Sequence, residues 1–497
     1  ILVSHLQQIE LEQELIPLLR GVDISIAGGS DTLLADENDR LRGGHVAGGP
    51  YPIVTKNASG EPALVLSTDG QYKYVGRLVV TFDAQGVIDT NSLSSAVNGA
   101  YATDEQGVVS LWGSTEAAFA AGTRGARVRQ LTDAMQAIVT AKDANIVGKS
   151  GVYLEGRRNS VRTEESNLGN LTADANLFVA KQYDPSVVAS IKNGGGIRAE
   201  IGYIDGLTGE LLTTRPNPSA GKLEGDISQL DIENSLRFNN LLSVLTVEAW
   251  ELKNILEHGV AQTRPGNTPG QFPQVGGLSF LYDTNRQAIA FDTNGVVTVP
   301  GDRIRQLAVT DANGVVTDLI LTNGVFLGDT NRPIRLVTLN FMAVGTTTTP
   351  GLGGDGYPFP AYLTDRVDLP DVLSDPGAAT FASPGSEQDA MAEYLAALFD
   401  VTPYGSDDTP LAEDRRIISL PAITPSVTRV AYSGGTSFEI QFSTINGYRY
   451  HVEYADGVGA LWTPLTGGTL SGDGTVKTVT DPSAAGDLRV YRVWLEF

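Results

Sequence analysis

The heptapeptide Lys192-Asn193-Gly194-Gly195-Gly196-Ile197-Arg198 sets three consecutive glycines ahead of an arginine. Lacking side chains, the glycines allow backbone N–H groups to come close to a ligand, and the Arg198 guanidinium supplies a forked donor for phosphate or carboxylate. Alone, the run reads equally as a tight turn carrying a structural arginine, so its surroundings have to decide.

From about Gly148 to Val401 the flanking sequence alternates strand-like and helix-like patterns. Leu252, Ile255, Leu256 and Val260 mark one helix face, and Ser386 with Asp389 forms a helix-cap signature ahead of Met391, Tyr394, Leu395 and Leu398. This alternation gives an α/β or α+β domain over 148–401. Upstream, Ile1 to about Asp31 reads as strand, helix, strand. An apolar start leads to an amphipathic stretch through Leu11, Leu15, Leu18 and Leu19, then to a second apolar run from Val22 to Ala27 closed by Gly28-Gly29. In an open α/β layout, His5, Ser30 and Asp31 lie just past the strand ends and face the crevice where ligands and metals bind. A β-rich run from Leu64 to Val87 closes this first segment, residues 1–90.

Residues 91–147 divide in two. Through Gly125 they are rich in Ser, Ala, Gly and Thr without clear periodicity, as in a linker or surface insertion; Val128, Leu131, Met135, Ile138 and Val139 then mark one connecting helix. The Pro- and Asp-rich residues 402–423 read as a second linker. Beyond them, 424–497 turns to short alternating segments at Ser437 to Phe442, Tyr448 to Tyr454 and Leu488 to Trp494, the pattern of a small antiparallel β-sandwich. Asp292-Thr293-Asn294-Gly295 and Asp311-Ala312-Asn313-Gly314 fit hairpin turns and lack the later bidentate Glu of a calcium loop.

At 497 residues the chain exceeds one ordinary core. Its 35 Lys+Arg against 58 Asp+Glu leave a formal charge of −23, which argues against nucleic acid as a partner but leaves room for a small phosphorylated ligand held by converging arginines. No run approaches the length of an apolar bilayer span. With no cysteine, thiol catalysis, thiolate metal sites and disulfides are excluded. The opening Ile1-Leu2-Val3-Ser4-His5, without initiator Met or charged leader, suggests that further sequence lies upstream.

Five blocks in succession carry a family resemblance: YLEGRRNSVRTEESNLGNL from Tyr153 to Leu171, the triple-glycine run, LRFNNLLSVLTVEAWELKNILEHGV from Leu236 to Val260, FPQVGGLSF from Phe272 to Phe280, and LNF followed by GGDGYPF. In order and wording they resemble the C-terminal domain of the 5'-nucleotidase family. The resemblance implies that Arg162, Asn193 and Arg198 contact the ribose, phosphate or product side of a nucleotide. It matches Phe238 and Phe341 to an aromatic pair that sandwiches the base, and Asn240 and Asp355 to polar contacts with base and ribose. Gly276 falls among the substrate-binding positions as well. Two aromatic faces suit base stacking and a carboxylate suits ribose hydroxyls, although a lone Phe in an apolar run is more often core. Val344 to Leu352 is an insertion relative to the family pattern; it either loops out or moves Phe341 relative to Asp355.

The first segment resembles the end of the same family's calcineurin-like metallophosphoesterase domain. His5 matches a metal-binding histidine after a strand. Gly29 stands where a second ligand histidine is expected, Asp31 where a third ligand is, and His45 is a candidate replacement or else a surface-loop histidine. A carboxylate can ligate a divalent metal and glycine cannot. The family's remaining ligands lie upstream of His5 in family order. The expected architecture is therefore multidomain: an α/β remnant of a metallophosphoesterase domain, an α/β (α+β) 5'-nucleotidase C-terminal domain and a small all-β sandwich. The expected function is that of an exported, periplasmic or extracellular phosphoric ester hydrolase acting on nucleotides or related esters. It would use two divalent metal ions (Zn, Mn or similar) in the complete enzyme, with this chain supplying recognition and the N-terminal half joined to it or present as a separate chain. The alternative is a non-catalytic cell-surface or matrix protein on an eroded phosphatase scaffold. Tyr448, Tyr450, Tyr454 and Trp462 of the last domain suggest a surface or carbohydrate contact, or simply its core and rim.

Overall fold

The apolar start of the chain forms a strand at Leu2–Ser4, followed by a helix at Ile9–Leu15 and a second strand at Ile24–Ala27. The structure, a computed structural model, describes residues 1–206, 208–375, 377–432, 437–446, 448–457, 459–483 and 489–496. It divides into two compact units, Ile1–Ala137 and Ile138–Phe497.

In the first unit, Leu2–Ser4, Ile24–Ala27 and Pro62–Leu66 pair in parallel, and Ile53–Lys56 closes the sheet antiparallel. The helix turns Ile9, Glu12 and Ile16 inward, whereas Leu11 and Leu18, expected on its buried face, are exposed. Glu12 can sit inside because it accepts the Ser4 hydroxyl at 2.8 Å. The stretch through Gly125, read as a linker or surface insertion without clear periodicity, is largely ordered elements. Gly99–Ala102 pairs with Tyr74–Arg77, and short helices at Glu105–Trp112 and Thr115–Ala118 start at side-chain caps from Asp104 and Ser114. Small residues hid the strand; the two caps were the readable signal. The connecting helix forms at Arg124–Asp143, but its apolar residues Val128, Leu131, Met135 and Ile138 are exposed.

The second unit is built on a mixed sheet in the order Pro273–Gly276, Ala189–Asn193, Pro333–Leu339, Leu242–Glu248, Thr364–Asp368. Only 189–193 and 333–339 run parallel. Helices Asn167–Tyr183 and Ala249–Gly259 contribute Leu177, Val179, Leu252, Ile255 and Leu256 to its core. Gly277, at φ 66, carries the chain from this sheet into a second one, and a Cβ there would lie 2.2 Å from the Val188 carbonyl, so only glycine makes the passage. The second sheet runs Val325–Phe326, Val316–Thr322, Ile304–Thr310, Leu278–Tyr282, Ile417–Ser419. The two Asp-x-Asn-Gly runs are hairpin turns in which Asp292 and Asp311 accept backbone N–H groups. Ser386 caps the helix Glu387–Leu398 as expected.

Residues 402–423 are not a free linker. Ile417–Ser419 pairs in parallel with Leu278–Tyr282, and Glu165 Oε2 accepts the backbone N–H groups of Arg415, Arg416 and Ile417 at 3.0, 2.7 and 3.1 Å. Asp414 is buried in the same junction, accepting Thr409 Oγ1 at 2.9 Å and the Glu165 N–H at 3.3 Å. Burial, and then the neighbouring Glu165, pushes its pKa up to about 9. The folded chain thus keeps a proton that the unfolded chain releases above pH ~4. The stabilisation from this protonated form is complete below that pH and is lost as pH rises through about 9. Calorimetric unfolding of Asp414→Asn at pH 5 and pH 8 is expected to show a smaller loss of stability at the higher pH than the parent chain shows; an equal loss would rule the account out.

The chain ends in two three-stranded antiparallel sheets. One holds Val427–Tyr432, Phe438–Ser443 and Val476–Asp481; the other holds Thr463–Ser471, Arg449–Ala455 and Val490–Glu496. Ile440, Phe442, Tyr450, Val452 and Leu465 form a shared core, joined by Leu281 and Ile423. Tyr450 is thus core, Tyr448 and Tyr454 are half-buried, and Trp462 is partly exposed with the Arg492 guanidinium 4.5 Å from its ring centroid. Leu488, expected to start the last strand, lies outside the described residues.

Candidate functional site

Strand 189–193 ends in a single 3-10 turn at Gly194–Gly196. A Cβ on Gly194 would stand 1.8 Å from the Val161 carbonyl oxygen, and one on Gly195 would stand 2.8 Å from that of Gly270. The N–H groups of Gly194 and Gly195 donate to the carbonyls of Phe272 and Gly270 at 2.7 and 2.9 Å. This corrects the expectation that the glycine run offers those amides to a ligand: they are committed to packing one loop on another. What the glycines make is room.

That room is a cavity of about 340 Å³ at the C-terminal ends of the two parallel strands, where ligands of open α/β sheets bind. Arg162, Asn193, Arg198, Phe238, Asn240, Phe341 and Asp355 all line it, together with Gly195, Gly196 and Gly270. Arg162 follows the short helix Arg158–Val161, Asn193 ends its strand, and Phe238 and Asn240 precede strand 242–248. Phe341 lies in the turn of helix Asn340–Ala343 after strand 333–339, and Asp355 lies in the turn Gly354–Gly356.

The walls are electrostatically one-sided. Desolvation, then the nearby Arg158 and Arg198, pull the Arg162 pKa below the usual guanidinium range, with Asp355 acting against them. Among the described residues Arg162 Nη1 reaches only the Thr268 carbonyl, at 3.4 Å, and its buried Nε has no partner. Arg198 donates to the Gly195 carbonyl at 3.4 Å and sits 5.6 Å from the Phe238 ring centroid. Such a cluster favours an anion. Opposite chemistry is supplied by Asp355, held at φ 55, whose Oδ2 accepts Asn193 Nδ2 at 2.6 Å. Asn193 is 4% exposed, and its Oδ1 has no partner among the described residues. Phe238 and Phe341 stay 62% and 43% exposed, unusual for large apolar rings unless their faces are used.

The 344–352 insertion loops out. Its Gly351 N–H bonds the Thr293 carbonyl at 3.2 Å, and Phe341 and Asp355 still line one cavity. The Phe341 ring lies within 2.4 Å of where a Cβ on Gly354 would be, so glycine is needed beneath it. Gly276 does not belong to the cavity. It sits in the sheet where helix 167–183 crosses closely, a Cβ there meeting Asp174 Oδ1 at 2.9 Å and the Ala173 carbonyl at 3.0 Å.

Three supports escaped the sequence reading. His258 Nε2 lies 2.8 Å from the Asp355 carbonyl oxygen and packs edge-on to Tyr357, steadying the strained turn; desolvation lowers its pKa, so it serves as a neutral donor. Lys192 and Glu387 form an ion pair at 3.0 Å with neither side chain exposed. Glu387 in turn holds Asn240. Only the position of Glu387 in the first turn of a capped helix hinted at any of this.

The candidate metal residues of the first unit do not converge. His5 lies over Gly29, a Cβ on which would stand 2.7 Å from the imidazole, and the φ of 84 at Gly29 strains any other residue. Asp31 lines a second cavity of about 300 Å³ together with Asp69. His45 is turned to Asp69, 3.4 Å away, and to the Tyr74 hydroxyl at 3.2 Å; Lys73 also pairs with Asp69 at 3.3 Å. Among the described residues no three His, Cys, Asp or Glu side chains gather to hold a metal ion. The residues present therefore do not fit a two-metal centre.

Residues 146–349 match the family described as 5'-nucleotidase, C-terminal domain, a match that stops inside the 344–352 insertion, short of Asp355. The trifunctional nucleotide phosphoesterase protein YfkN of Bacillus subtilis (strain 168) is 27% identical over 71% of this chain and 18% of its own length. The 5'-nucleotidase of Homo sapiens is 26% identical over 60% of this chain and 44% of its own. The chain thus spans less than half the length of these curated relatives. Among solved structures, a 5'-nucleotidase precursor from Thermus thermophilus is similar at 26% identity and a TM-score of 0.48, covering 82% of this chain and 62% of that one.

Proposed function

We propose, for a chain that belongs to the 5'-nucleotidase family through the C-terminal domain it carries, that the 340 Å³ cavity binds a nucleotide or a related phosphate ester. In this reading Phe238 and Phe341 take the base between them, Asp355 and Asn193 meet the ribose, and Arg162 and Arg198 take the phosphate or product side. The observation that carries it is the meeting, in one cavity, of two exposed aromatic rings with two arginines that form no ion pair among the described residues, in a chain of net charge −23. The whole protein is then a phosphoric ester hydrolase, exported to the periplasm or cell exterior, with this chain providing recognition. The first unit is read as a metallophosphoesterase remnant and the terminal sheets as a β-sandwich accessory domain. Among the described residues no three His, Cys, Asp or Glu side chains gather into the metal centre that hydrolysis of this kind uses, so this chain's part is read as recognition.

Calorimetric titration of the chain with AMP, with adenosine as competitor, tests the binding. One AMP per chain, displaced by adenosine, is expected; absence of binding by either at millimolar concentration would overturn the reading. The tight packing of His5 against Gly29, which leaves no room there for a side chain in place of the expected ligand histidine, favours the second reading, a non-catalytic cell-surface or matrix structural or binding protein on an eroded phosphatase scaffold. Phosphate release from AMP by the full-length protein, supplied with divalent cations, decides between the two.

A further inference from the structure

We infer that the outward face of the last three-stranded sheet is a platform for a neutral polysaccharide, with Trp462 and Trp494 as its stacking surfaces. This sheet lies beyond the residues that match the family, so nothing here depends on the nucleotide reading. Strands Arg449–Ala455 and Val490–Glu496 pair Arg449 with Glu496, His451 with Trp494 and Glu453 with Arg492. The alternate residues Tyr450, Val452 and Leu495 are core, so those three pairs point outward in consecutive rows. Trp462, just ahead of strand Thr463–Ser471, joins the same face, its ring centroid 4.5 Å from the Arg492 guanidinium. Of the aromatic residues that suggested a contact, Tyr450 is in the core and Tyr448 and Tyr454 pack against it, leaving Trp462.

Both indoles are 38% exposed, and among the described residues neither joins the core. They are nevertheless held still. The Trp494 ring stacks on the His451 imidazole at 4.3 Å and 18°, and that imidazole is fixed from both sides, by Thr469 Oγ1 and Glu496 Oε2, each at 3.0 Å. Trp462 is covered by a guanidinium whose Nε donates to Glu453 at 2.7 Å. Exposed rings fixed in advance give up little conformational freedom on meeting a ligand. Trp494 and Arg492 stand in adjacent rows, roughly 7 Å apart, and Trp462 lies against Arg492, so the two indoles suit successive rings of a chain rather than one small molecule. Among the described residues the outward charges of these three strands are Arg449, Arg492, Glu453 and Glu496, two of each sign and each within an ion pair. No net charge is left to attract a polyanion or an anionic membrane, and the whole chain, at −23, repels both. Between the two indoles stands the Arg492–Glu453 pair rather than the continuous apolar centre of a protein–protein interface. A sugar ring matches this surface: its C–H face lies on an indole, and its hydroxyl rim, donor and acceptor at once, bonds the carboxylates and guanidiniums beside it.

Affinity electrophoresis of the full chain through gels containing hydroxyethyl cellulose, xylan or glucomannan tests this, with alginate as the anionic contrast. Retardation by at least one neutral polysaccharide, and none by alginate, is expected. Trp462→Ala and Trp494→Ala should each weaken that binding about two- to tenfold, the worth of one aromatic contact, whereas Trp112→Ala, in the first unit, should leave it unchanged. Retardation by none of the three, or equally by alginate, overturns the inference, as does undiminished binding by the Trp462→Ala, Trp494→Ala double variant. Concentration-dependent self-association that the double variant loses, without retardation by polysaccharide, would assign the face to a second copy of the chain instead. Should either variant fail to fold, oxidation of the parent chain's indoles by N-bromosuccinimide, followed by peptide mass, decides. The retarding polysaccharide should slow modification at Trp462 and Trp494 and not at Trp112; equal rates with and without it would sink the idea. AMP binding is expected to be the same in all these variants, so a failure here leaves the nucleotide reading in place.

Discussion

Replacing Glu387 by alanine is expected to destabilise the second unit by roughly 3–5 kcal/mol, the usual cost of stranding one partner of a buried ion pair. Lys192 lies in strand 189–193, next to the central strand of the sheet, and Glu387 at the start of helix 387–398, 195 positions away; neither is exposed. Without Glu387 the Lys192 ammonium must stay charged in a low-dielectric interior or give up its proton, and both cost free energy. The two N–H groups of Asn240 would also lose their acceptor. Lys192→Ala should cost less, because the Glu387 carboxylate would keep those two donors. The order is the diagnostic result: Glu387→Ala below Lys192→Ala, with Lys192→Met combined with Glu387→Gln recovering much of the loss, in guanidinium-induced unfolding. Equal losses from the two single substitutions would mean that Asn240 contributes nothing to holding the carboxylate.

That pair also shows where the sequence stops being legible. Lys192 was visible beside the glycine run, and Glu387 in the first turn of a helix whose Ser386 cap was readable; nothing in the local pattern of either says that they meet. The motif residues fared better because they sit in short segments beside the strand ends: Asn193 and Phe341 at or just after one, Phe238 and Asn240 just ahead of one, Arg162 after a short helix. Arg162, Asn193, Arg198, Phe238, Asn240, Phe341 and Asp355 accordingly share one cavity. Gly276 failed because glycine serves both close ligand approach and close helix approach, and here the partner is helix 167–183. The amides of Gly194 and Gly195 failed for a related reason: their acceptors, Phe272 and Gly270, belong to a loop distant in sequence. Residues 402–423 looked like a linker because proline and aspartate dominate them, yet Asp408 and Asp414 are pushed up to about 6 and about 9 by burial in the fold. Composition describes what a segment prefers when free; the backbone N–H groups that Glu165 accepts describe what holds it.

Removing the two aromatic rings separates recognition from stability. Phe238 and Phe341 are 62% and 43% exposed, so Phe238→Ala and Phe341→Ala give up little buried area and should leave the unfolding temperature nearly unchanged. Stacking on one base is worth roughly 1–3 kcal/mol by alanine substitution, so each change is expected to weaken AMP binding by roughly five- to a hundredfold. The two substitutions should not be equivalent. Phe238 also carries the Arg198 guanidinium at 5.6 Å from its centroid, so its loss frees that side chain and reaches the phosphate side of the ligand. Phe341 instead covers Gly354 in the turn that holds Asp355. A double-mutant cycle between Phe238→Ala and Arg198→Ala is therefore expected to be non-additive for AMP, whereas Phe341→Ala with Arg198→Ala should be close to additive. Unchanged AMP affinity in both single variants would show that the rings do not receive a base, and the exposed aromatic faces would then call for a different occupant.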